Sequence, residues 1–122
     1  MSWDELERRA RQLARALDSS GVGPGRVWGV LARNRCEWAE SSLGNTRAWS
    51  RIVPLNWHLT APEIHALLVD SGAELLVVER EFRAVADEAA RGTEVTRIID
   101  YGSEYEDWLA AAGVKADPNS RK

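Results

Sequence analysis

The residues of this chain best suited to chemistry are two histidines, one cysteine, a few paired serines and a run of glycines. His58 and His65 are the only histidines, and Cys36 is the only cysteine. With Glu63 they form a conceivable zinc set, since imidazole, thiolate and carboxylate all bind that ion. Their spacing matches no ligand pattern, because the histidines stand on either side of a predicted helix start. Cys36 and His58 also have the types of a nucleophile and its base. Nothing in the sequence brings those two together, and a lone cysteine ordinarily behaves as a small hydrophobe. Ser19-Ser20 and Ser41-Ser42 lie outside any Gly-x-Ser-x-Gly turn.

Gly21-Val22-Gly23-Pro24-Gly25 has the composition of a phosphate cradle. Such a cradle follows a strand and opens a helix, so that amides at the helix N-terminus meet the phosphate. Here the glycines follow a helix and precede a strand, which predicts a helix stop and a turn. Glu79, Glu81, Asp87 and Glu88, like Glu104, Glu106 and Asp107, sit near helix starts or on solvated faces. Placement near helix dipoles accounts for several of them. No catalytic, cofactor-binding or metal-binding residue is assigned.

The elements that would have to position any site are legible in the pattern. Ser2 and Glu5 open a first helix whose apolar face is Trp3, Leu6, Ala10, Leu13, Ala14 and Leu17. Val27–Ala32 is an unbroken apolar run, read as a strand covered on both faces. A helix over about 37–48 follows, with Trp38, Ala39 and Leu43 as its apolar positions. Arg51–Leu55 is a strand closed by Pro54. Thr60 and Glu63 box a third helix, with Ile64, Leu67 and Leu68 buried and Ser71-Gly72 as its stop. Leu75–Val78 is the strongest strand. Phe82, Val85, Ala86 and Ala89 mark a fourth helix ending at Gly92, and Val95–Ile99 is a fourth strand. Ser103 and Glu106 cap a fifth helix, which Gly113 stops. Strands alternating with helices at this spacing predict an α/β fold: one small domain over 2–115, a mainly parallel four-stranded sheet, and helices on both faces. Residues 116–122 form an aperiodic tail, expected to be disordered or appended.

Composition narrows the partners. The chain has 122 residues, 16 basic against 19 acidic, and a net charge of −3 with no basic stripe, so nucleic acid is not an expected partner. Trp3, Trp28, Trp38, Trp49, Trp57 and Trp108 could stack bases only beside a positive groove. Most are read as core residues. Trp49 is the exception, in a helix-to-strand turn where glycine fits more easily. No apolar run reaches the ~20 residues of a membrane span, the N-terminus lacks a signal-peptide core, and a single cysteine forms no internal disulfide. A cytoplasmic chain without membrane contact is expected.

Several stretches resemble the adenylate-forming superfamily, and its AMP-forming acyl-CoA synthetases in particular, with an actinobacterial flavour. They are Ser2-Trp3-Asp4-Glu5-Leu6 with Leu13-Ala14-Arg15-Ala16-Leu17, then Gly21–Gly25 with Val30-Leu31-Ala32-Arg33-Asn34-Arg35. The most specific are Gly44-Asn45-Thr46-Arg47-Ala48 and Val53-Pro54-Leu55-Asn56-Trp57-His58-Leu59-Thr60. Glu63-Ile64, Asp70-Ser71-Gly72-Ala73 and Gly102-Ser103-Glu104-Tyr105-Glu106 continue the match. Arg26, Cys36 and Trp49 depart from it: aspartate is usual at the first, proline or another residue at the second, and glycine at the third. Bulky Arg26 and Trp49 at turns suggest drift without catalytic selection, or deliberate change.

The resemblance implies an N-terminal fragment of a ligase that uses ATP, Mg and CoA. It also implies that the phosphate loop ending in Pro-Lys-Gly, the adenine and ribose contacts, the hinge and the catalytic lysine lie outside this chain. The expected activity of the chain alone is therefore none, with no cofactor of its own. Two alternatives stand beside this reading. One is an excised or engineered folding unit that forms homo-oligomers through surface buried in the parent enzyme. The other is a module binding CoA or a nucleotide, with the Asn34-Arg35 and Asn56-Trp57-His58 loops lining a crevice at the strand ends.

Overall fold

In the computed structural model, residues 2–33 and 35–114 are described. The elements run α1 (Trp3–Ser19), β1 (Val27–Leu31), α2 (Arg35–Ala48), β2 (Arg51–Leu55), α3 (Ala61–Ser71), β3 (Leu75–Val78), α4 (Arg83–Ala90), β4 (Arg97–Asp100) and α5 (Ser103–Val114). A single 3-10 turn at Arg80–Phe82 leads into α4. The four strands form one sheet in the order β2-β1-β3-β4, and every pairing is parallel.

The unbroken apolar strands divide their side chains between two cores. Trp28, Val30, Leu75, Val77 and Ile99 face one layer, with Leu13 and Leu17 of α1 and Tyr105, Trp108 and Leu109 of α5. Leu31, Leu55, Leu76 and Val78 face the other, with Ile64 and Leu68 of α3 and Ala86 and Ala89 of α4. Helix α2 lies beside α1 on the first face. The chain steps one way from β1 to β2, then the other way through β3 to β4. The connecting helices change face at that reversal, as crossovers of constant hand require.

The helix ends follow local chemistry. Ser2 Oγ accepts the Glu5 N–H at 3.1 Å. Thr60 and Glu63 complete a capping box, and Gly72 closes α3 in the left-handed region at φ 73°. Other expectations are corrected. The fourth strand is Arg97–Asp100, two residues later than expected at its start. Helix α5 runs to Val114, so Gly113 does not stop it, and a helical glycine costs only about 1 kcal/mol against alanine. Leu67 is 39% exposed, because the buried face of α3 is narrower than its apolar pattern.

Helix α2 is the largest correction. Its buried residues include Glu40, Ser41, Gly44 and Ala48, whereas Ala39 is exposed and Trp38 and Leu43 are half-buried. Polar pairing explains this. Arg9 of α1 donates to Glu40 at 2.6 Å and to Glu106 of α5 at 2.6 Å. The Tyr105 hydroxyl donates to the same Glu40 carboxylate. Ser41 Oγ lies 2.6 Å from the Tyr101 hydroxyl. Burial, then the nearby Glu40 charge, pushes the Tyr105 phenol well above its ordinary range. Hydrogen bonds to Glu106 and Glu40 hold Arg9 firmly protonated.

Three of the six tryptophans are not core residues: Trp3, Trp49 and Trp57 are exposed. The other three find partners for their indole N–H, as largely buried tryptophans do. Trp28 donates to Asn45 at 2.9 Å, Trp38 to the Ala32 carbonyl at 2.8 Å and Trp108 to Ser20 at 2.9 Å. Trp49 holds φ 61° and is the only non-glycine at positive φ among the described residues.

Close approach of α1 and α2 depends on Gly44, where an added Cβ would lie 2.5 Å from Leu13 Cδ2. Gly44→Ala should therefore destabilise the chain by about 1–3 kcal/mol despite alanine's better helix propensity. Urea unfolding measures this, and a stabilised variant would show that the two helices part freely.

Candidate functional site

A doubly wound sheet opens its crevice at the carboxyl ends of the strands, where the order reverses. Here that point lies between β1 and β3, and the loops after β1, β2 and β3 converge on it. The Arg33 backbone N–H donates to the Glu79 carboxylate, and its guanidinium donates to Glu81 at 3.1 Å. The same guanidinium carbon sits 5.2 Å from the centre of the Trp57 ring. Trp57 also stacks 6.1 Å from Phe82 and tilts against His58 at 3.7 Å. Asn56 Oδ1 accepts the His58 N–H at 2.9 Å, which fixes the turn. An open depression of about 330 Å³ lies beside this cluster, walled by Arg33, Trp38, Asn56 and Trp57 among others.

Of the Asn56-Trp57-His58 half of the sequence expectation, Asn56 and Trp57 line the crevice, and His58 lies outside it against Trp57. Asn34 and the side chain of Arg35 lie outside the described residues, and so does the side chain of Cys36. The two histidines are engaged separately. His58 is exposed beside Trp57, while His65 Nδ1 lies 2.9 Å from the Ala89 carbonyl and ties α3 to α4. That geometry requires the proton on Nδ1. Ser20 and Ser41 are engaged structurally with Trp108 and Tyr101. Arg33 and Phe82 are the crevice residues that sequence reasoning missed as site groups. Arg33 directly follows the first apolar run with Ala32, which was the available signal.

The acidic residues at the same end of the sheet are structural. Arg83 donates to Asp100 at 3.1 Å, to Glu104 at 3.0 Å and to Asp87 at 3.2 Å. Glu104 in turn accepts the Asp100 backbone N–H at 2.8 Å. That hydrogen bond, with help from Arg83, holds the Glu104 carboxyl below its ordinary value. A second open cavity of about 390 Å³ lies between the end of α1 and α5, bordered by Ser19, Ser20, Arg97, Asp107 and Trp108.

Among the described residues no built cradle for ATP and Mg is seen. The glycine run ends α1 and enters β1, and three of its amides are occupied: Gly21 N–H by the Asp18 carbonyl, Val22 N–H by Leu17 and Gly25 N–H by Trp49. Arg9, Arg26, Arg33, Arg47 and Arg83 each face a carboxylate, so an anion at any of them would have to compete with it. Among the described residues, no three His, Cys, Asp or Glu side chains gather as a metal site. No described helix is long and apolar enough to cross a membrane.

A doubly wound parallel sheet with this reversal defines the class. The chain belongs to the AMP-binding enzyme family, which matches residues 1–121. It is 32% identical over 111 residues to the fatty acid–[acyl-carrier-protein] ligase ScoC of Streptomyces coeruleorubidus, covering 91% of this chain and 21% of that protein. It is 36% identical over 77 residues to a feruloyl-CoA synthase of Amycolatopsis, covering 63% of this chain and 16% of that one. Among solved structures it resembles the anthranilate CoA ligase AuaEII in complex with anthranoyl-AMP. The TM-score is 0.83 at 28% identity, over 91% of this chain and 22% of that one. The chain thus spans about a fifth of the length of the ligase ScoC.

Removing the Glu104 charge tests the acidic cluster. A carboxyl depressed in the folded state adds stability that is present above its ordinary value and is lost as pH falls through the depressed one. Glu104→Gln should lower stability at neutral pH, and its deficit against the parent should vanish in acid. Unfolding midpoints across pH measure this, and a deficit independent of pH would remove the charge from the account.

Proposed function

We propose that this chain is the N-terminal scaffold of an acid-activating ligase, and that by itself it does not adenylate a substrate. In the whole enzyme it would help form the large N-terminal domain and part of the wall around the acyl substrate. The observation that carries this reading is the combination of family membership across the chain with arginines committed to internal carboxylates. Adenylation needs placed groups that hold and neutralise the ATP phosphates. ATP, Mg and CoA would be bound by other parts of the enzyme. A reducing cytoplasm fits the single cysteine.

The test is ATP–pyrophosphate exchange by the chain with a panel of fatty and aryl acids. No exchange above a protein-free control is expected, and turnover with any acid would sink the reading.

A second reading is that the chain self-associates. Trp3, Trp49, Trp57, Leu67 and Val69 are large apolar residues exposed on its surface. Light scattering over a concentration series should give a mass that rises above that of the monomer, and a constant monomer mass would end this reading. The crevice beside Trp57 also favours binding of a planar ligand such as a nucleotide or CoA. Tryptophan emission should then change saturably on titration, and a flat response would count against it.

A further inference from the structure

We draw no further inference here: the strongest candidate, the open crevice at the carboxyl ends of β1 and β2, belongs to the site already described, its Trp57 ring is engaged by Arg33, His58 and Phe82, and nothing in the structure shows what would fill it.

Discussion

The first helical layer depends on one buried carboxylate, Glu40. It sits where α1, α2 and α5 meet, and it is paired with Arg9 and hydrogen-bonded by Tyr105. A charge buried in this way is costly unless every lone pair is answered, so its partners are constrained in turn. Arg9 must reach both Glu40 and Glu106, which fixes the rotation of α1. Tyr105 must point inward, which fixes α5, and Tyr101 follows through Ser41. Helix α2 has no wide apolar stripe, so this polar centre and the close contact at Gly44 dock it on α1 and α5. Replacing the pair with apolar groups of equal volume need not destabilise the domain, whereas losing one partner leaves the other uncompensated.

The second layer is built differently. Helices α3 and α4 bury aliphatic side chains against Leu31, Leu55, Leu76 and Val78, and His65 adds a hydrogen bond between them. The two layers meet at the carboxyl end of β4, where Arg83 of α4 spans Asp100 and Glu104. That cluster also answers the outward N–H of Asp100, so a single carboxylate caps a sheet edge and joins two helices.

The crevice at the switch point has the position of a ligand site in an open α/β sheet, yet its charges are largely spent. Arg33 is shared among Glu79, Glu81 and the Trp57 ring, which leaves an aromatic wall rather than an anion hole. Family membership and internal ion pairing therefore point the same way. Both agree with the proposed scaffold role, in which other parts of the enzyme would handle the phosphates.

The sequence by itself determined the alternation of elements, because unbroken apolar runs and helical periodicity are local signals. It also determined the caps at Ser2, Thr60 and Gly72, whose chemistry acts within one turn. The glycine run was legible as a turn for the same reason, from its order between helix and strand. Only the tertiary structure decided which face of α2 is buried, since Glu40 and Ser41 are admitted to the interior by Arg9, Tyr105 and Tyr101 from distant segments. It likewise decided that Trp28 and Trp108 are core while Trp3 and Trp57 are surface, because hydrophobicity does not specify which neighbours arrive. The crevice was half visible. Asn56-Trp57-His58 could be placed from the strand they follow, but the approach of Arg33 and Phe82 depends on the order β2-β1-β3-β4, which long-range pairing alone sets.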